Sequence, residues 1–143
     1  MGISPDKLVL GLPWYGYDYT CLSFEKDICT LKQVPFRGVN CSDAAGRQLE
    51  YGILQDILTS RAVNGRQWDP VQLSPFFHYQ DTAGAIHQVW YDDPESLSIK
   101  YAYATDWAKL RGIALWNSDL LDYSDIPRAK QQTEDMWNTL PSL

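Results

Sequence analysis

Residues 7–19, KLVLGLPWYGYDY, pass in one step from a continuous apolar run into a cluster of aromatics. Leu8, Val9, Leu10 and Leu12 do not alternate with polar residues, which is the pattern of a parallel strand covered on both faces. Pro13 and Gly16 mark where regular pairing stops. Trp14, Tyr15, Tyr17 and Tyr19 then fall at the carboxyl end of that strand, the end at which barrels and open α/β sheets bind their ligands. Aromatics in such a place serve either as a sugar-binding rim or as core filling.

A second short apolar run, residues 112–116 (GIALW), also ends in an aromatic followed by polar residues, Asn117-Ser118-Asp119. Between the two runs lie a predicted helix over residues 42–60, with Leu54, Ile57 and Leu58 on one stripe and Glu50, Gln55 and Asp56 outward, and a second over residues 94–109. Ser42 or Asp43 is the expected cap of the first, and Gly46 and Gly52 weaken its first half. Ile99, Tyr103, Trp107 and Leu110 recur at helical spacing in the second, and Asp92 and Asp93 before it suit capping and macrodipole compensation better than catalysis. A closing helix carries Ala129, Thr133, Met136, Trp137 and Leu140 on one face, with Ser124 or Asp125 as cap. The order is β-X-α-β-α, so the two runs are expected to lie parallel with their aromatic ends on the same side. Two parallel strands cannot cover themselves, and the chain therefore reads as the end of a larger α/β sheet or barrel.

Residues 20–42 lack periodicity and hold all three cysteines, Cys21, Cys29 and Cys41. Their spacing matches no zinc pattern, and one disulfide with one unpaired thiol is expected. Asn40-Cys41-Ser42 forms a glycosylation sequon. Residues 75–80 and 85–91 read as a hairpin around a four-residue loop, Asp81-Thr82-Ala83-Gly84. That register sets His78 opposite His87, but a catalytic zinc site needs a third protein ligand and the sequence offers none, so the histidines read as structural and no metal or cofactor is expected.

The net charge of −6, with no Lys/Arg run, argues against a nucleic-acid or anionic-membrane partner. The first residues have neither a charged nor an apolar leader segment, and no stretch approaches the length that spans a bilayer. Tryptophan and tyrosine are abundant, at six and nine.

Over nearly its whole length the sequence resembles glycoside hydrolase family 18. KLVLGLPWYGYDYTC looks like that family's seventh-strand segment, PFRG and CSDAAGRQ like an insertion, and HQVWYDD, LRGIALWN, LDY and AKQQTEDMW like the last helices and eighth strand. The resemblance implies the C-terminal part of a (β/α)8 barrel, incomplete as given. Residues 1–19 would supply a barrel strand with rim aromatics, 20–91 an α+β insertion, and 92–143 the last barrel helices and the eighth strand. It also implies a lysosomal hydrolase that cuts the N,N′-diacetylchitobiose core of Asn-linked glycans, or a non-catalytic relative that only binds N-acetylglucosamine oligosaccharides.

By the same resemblance Trp116 is the platform under the sugar at the cleavage point, Tyr15 lines the cleft, and Trp14 and Tyr17 join the substrate-binding set. Many chitinases have Arg where Tyr17 stands, so a short aromatic-walled cleft is expected. The family's catalytic signature, D-x-x-D-x-D-x-E, supplies a general acid and an Asp that orients the nucleophilic 2-acetamido group. That spacing does not occur here. Asp119, Asp122 and Asp125 run at i, i+3, i+6 with no Glu two residues later, so no catalytic residue is expected in this chain and the signature is expected upstream of Met1.

Overall fold

The computed structural model describes residues 2–34 and 45–141. In chain order they form β1 (Val9–Pro13), β2 (Tyr15–Thr20), β3 (Ser23–Glu25), β4 (Ile28–Thr30), β5 (Gly46–Glu50), α1 (Tyr51–Arg61), β6 (Gln67–Asp69), β7 (Ser74–Gln80), β8 (Ile86–Tyr91), α2 (Pro94–Ala102), β9 (Gly112–Trp116) and α3 (Pro127–Asn138). The sequon at Asn40, the thiol of Cys41 and the caps expected at Ser42 and Asp43 lie outside the described residues.

β1 and β9 pair in parallel, with Val9 opposite Gly112 and Pro13 opposite Trp116, so both apolar runs end at the same level as expected. The aromatic segment does not prolong β1. After Trp14 the chain enters β2, a strand of a separate antiparallel sheet ordered β5-β2-β8-β7-β6. That sheet therefore reaches back to Tyr15, before the boundary expected at residue 20. Its alternation is strict: Gly16 and Asp18 are buried, whereas Tyr15, Tyr17 and Tyr19 point to the half-exposed face.

Three local expectations are corrected. Arg47, Gln48, Leu49 and Glu50 are good helix formers, yet residues 46–50 pair with β2 along its length, Glu50 opposite Tyr15, and the helix starts only at Tyr51. Pairing overrides propensity there. Gln55, expected outward, is buried and accepts from Gln132 across α3 at 3.3 Å. The β7–β8 loop is one residue longer than expected, because the Asp81 carboxylate accepts from the Ala83 and Ala85 N–H groups (2.9 and 2.8 Å) and holds Ala85 in the loop. The slip turns the pairing to Tyr79 opposite His87 and His78 opposite Gln88. The two imidazoles consequently face opposite sides of the sheet.

His87 lies in a buried polar cluster under the sheet. Asp18, 2% exposed, accepts from Arg47 Nε at 2.8 Å, Tyr79 Oη at 2.9 Å and His87 Nδ1 at 2.9 Å. Burial first, then the neighbouring Asp18, push the Tyr79 phenol up to about 12. His78 packs instead against Phe24 and Phe76, with Asn64 Nδ2 3.1 Å from Nδ1 and Gln88 Nε2 3.0 Å from Nε2. Burial lowers its pKa. No cluster of three or more His, Cys, Asp or Glu able to hold a metal occurs among the described residues.

Cys21 bonds to Cys29 and staples the β3–β4 hairpin, whose turn residues Lys26 and Asp27 both have positive φ. α2 begins at Asp93, which accepts from Ser96 N at 3.0 Å while its own N–H donates to Ser96 Oγ at 2.9 Å. This reciprocal cap is the role expected of it. The helical segment that continues the α2 spacing widens to a π turn over Tyr103–Trp107. α3 starts at Pro127, and neither Ser124 nor Asp125 caps it; proline at the first position fixes the start, and Asp125 pairs instead with Lys130 at 2.9 Å. No described helix is long and apolar enough to cross a membrane.

Candidate functional site

The carboxyl ends of β1 and β9 meet at Pro13 and Trp116, where Trp14 N donates to Trp116 O at 2.8 Å. Apolar residues drive both strands to this level, and the side chains that follow are the candidates. Trp116 is 70% exposed, an indole standing free at the strand end, and its peptide bond to Asn117 is cis. Tyr15, two residues past the end of β1 and the first of β2, is half-buried and meets Tyr17 edge-on with ring centroids 5.8 Å apart. Trp14, expected among the substrate-binding aromatics, is fully buried: its Nε1 donates to Tyr101 Oη at 3.2 Å and its ring meets Trp137 edge-on at 5.0 Å. It fills the core where the two sheets part, which is the other use of an aromatic in this position.

Beside Tyr15 opens a cleft of about 460 Å³ whose lining includes Pro13, Tyr15, Tyr17, Trp90 and Asp92. Trp116 stands outside that lining, next to it across the β1–β9 pair. The structure thus brings Tyr15 and Tyr17 together in one wall, sets Trp116 beside them, and removes Trp14. Trp90 and Asp92 were not expected in the wall. No local signal in Ile86–Tyr91 marks Trp90; it enters the wall because β8 pairs with β2, which sets it opposite Tyr17.

Chemically this is a surface of aromatic faces with few fixed charges. The acidic run after β9 is local structure: Asn117 donates to Asp119, and Ser124 N donates to Asp122 at 2.9 Å, which with the Ser124 hydroxyl holds that carboxyl below its ordinary range. None of these carboxylates lines the cleft.

Residues 1–120 match the family model of the glycosyl hydrolases family 18. The chain belongs to glycosyl hydrolase family 18. It is 53% identical over 98% of its length to di-N-acetylchitobiase of Mus musculus and 52% identical over the same share to di-N-acetylchitobiase of Homo sapiens, covering 38% and 36% of those proteins. The chain therefore spans well under half the length of these family 18 relatives. Among solved structures it resembles the spore cortex-lytic enzyme SleL of Bacillus megaterium (TM-score 0.61, 26% identity, 94% of this chain and 26% of that one). A chitinase of Cycas revoluta crystallised with (GlcNAc)4 gives a TM-score of 0.63 at 22% identity, over 96% of this chain and 34% of that one. These likenesses agree with an α/β fold of the kind that family 18 chitinases share.

Proposed function

We propose that this chain forms the C-terminal, sugar-binding part of a glycosidase like di-N-acetylchitobiase, acting on the N,N′-diacetylchitobiose core of Asn-linked glycans by substrate-assisted retaining catalysis. The observation that carries the reading is the shared ending of two parallel strands, with an exposed Trp116 platform on one and the Tyr15 wall directly after the other. Sugar rings present apolar C–H faces, and a free indole at a cleft is the surface on which they stack.

In this reading β1 and β9 are the seventh and eighth strands of a (β/α)8 barrel, and the antiparallel sheet is its insertion. The apolar surface left on β1 and on the π turn after α2 supports it, since Val9 is 53% and Trp107 83% exposed, more than a finished core leaves open. The general acid and the carboxylate that orients the acetamido group then come from elsewhere in the protein, and this chain holds the sugar at the cleavage point. The Cys21–Cys29 disulfide supports a secretory route, and this reading assigns the lysosome as its destination.

The test is Trp116→Ala in the full-length protein, assayed on di-N-acetylchitobiose and longer N-acetylglucosamine oligomers. Losing the stacking platform is expected to lower kcat/KM by roughly tenfold or more, about 1.4 kcal/mol or above. An unchanged kcat/KM refutes the assignment of Trp116, and binding of the oligomers by the wild-type protein without hydrolysis assigns it to a lectin-like member instead.

A further inference from the structure

Within the cleft beside Tyr15, the arrangement of Asp92 is unusual for a residue expected only to start a helix. Its side chain is nearly buried, and Lys100 Nζ, Ser96 Oγ (2.7 Å) and Ser74 Oγ (3.4 Å) all donate to the same oxygen, Oδ1. Oδ2 takes none of these bonds, and the residue lines the cleft. One residue along the row, Trp90 is clamped from behind: Phe76 stacks on it at 4.6 Å and 22°, and its Nε1 donates to Gln88 Oε1 at 2.9 Å. Half-exposed and lining the same cleft, it offers a ring whose orientation is already fixed.

We infer that Trp90 and Asp92 form a second sugar subsite, in which a pyranose ring stacks on the Trp90 indole and donates a hydroxyl to Asp92 Oδ2. The inference rests on the glycosidase reading above and extends it to the insertion sheet. A carboxylate beside an aromatic also suits a cationic ligand, but Lys100 already neutralises Asp92 at Oδ1, so the remaining oxygen favours a neutral hydrogen-bond donor over a second cation. A hydroxyl-bearing ring with an apolar face meets both requirements. Both residues are held by neighbours before any ligand arrives, so little side-chain freedom is lost on binding.

The experiment is steady-state hydrolysis of the dimer, trimer and tetramer of N-acetylglucosamine by the full-length protein, wild type against Trp90→Ala, Trp90→Leu, Asp92→Asn and Trp116→Ala. For an oligomer long enough to reach the subsite, Trp90→Ala is expected to raise KM about tenfold and Asp92→Asn several-fold, with kcat changed less than threefold. Trp90→Leu keeps an apolar side chain against Phe76 but no aromatic face, and is expected to raise KM like Trp90→Ala. Should Asp92→Asn fail to fold because its bond to Lys100 is weakened, Trp90→Leu decides the matter alone. KM within twofold of wild type for all three oligomers in the folded variants overturns the second subsite. If Trp116→Ala still impairs turnover in that case, the subsite fails and the glycosidase reading stands; if the wild-type protein neither binds nor cleaves any of the three, both fall.

Discussion

Replacing Asp18 with alanine tests whether the antiparallel sheet is organised around one buried carboxylate. Three donors from three other strands converge on it: Arg47 of β5, Tyr79 of β7 and His87 of β8. Without the carboxylate the Tyr79 hydroxyl and His87 Nδ1 lose their acceptor in buried positions, at about 1–3 kcal/mol each. Arg47, whose side chain is 64% exposed, returns to water and adds little. The expected loss is about 3–5 kcal/mol, in the range seen when one partner of a buried ionic group is removed. For a protein of this size or larger each kcal/mol moves Tm by roughly 2–4 °C, so urea and thermal unfolding of the full-length protein resolve it easily. Tyr79→Phe alone is expected to cost about 1–2 kcal/mol, and much less once Asp18 is gone. A loss below about 1 kcal/mol for Asp18→Ala, or costs that simply add in the double variant, refutes the account.

Gly16→Ala would set a Cβ 2.8 Å from both the Trp90 carbonyl oxygen and Leu54 Cδ2; with β2 laddered on two sides, a loss of about 1–3 kcal/mol in urea unfolding is expected. Asp93→Ala removes the reciprocal cap of α2 and the 2.7 Å pair with Arg66, and a loss of about 1–2 kcal/mol, recovered in large part by Asp93→Asn, checks it. His78 has its pKa lowered by burial, so below about pH 6.5 the unfolded chain takes up a proton that the folded one refuses. Stability is therefore expected to fall as pH drops through that range, and Tm measured between pH 7 and pH 5 should lose part of this slope in His78→Leu.

The elements legible in the sequence are those whose signal is local. Unbroken apolar runs gave β1 and β9 with their common ending, and Asp93 followed by proline and serine announced the start of α2. What escaped depends on partners far along the chain. Nothing near Asp18 marks it as buried, because its ligands come 29, 61 and 69 residues later. Residues 47–50 favour a helix until β2 claims their backbone, and the hairpin slipped by one because a side chain, Asp81, lengthened its loop. The placement of Trp116 and Tyr15 near the shared ends of β1 and β9 was legible from where the two apolar runs stop. Trp14 was misplaced because an aromatic at such a junction can turn either way, and the hydrogen bond to Tyr101 of α2 that settles it lies 87 residues away.

That buried Trp14 has a consequence for motion. It is the single residue between β1 and β2, and on the return path only Asp92 and Asp93, both buried and bonded, separate β8 from α2. Hinged lids need a few residues free to change φ and ψ, and neither crossing offers any. The antiparallel sheet and the parallel pair should therefore behave as one rigid body, with the Tyr15 wall fixed relative to Trp116. Ligand association is then expected to follow a single concentration-dependent phase with no slow closing step, and the width of the cleft to be set at folding rather than adjusted to each ligand.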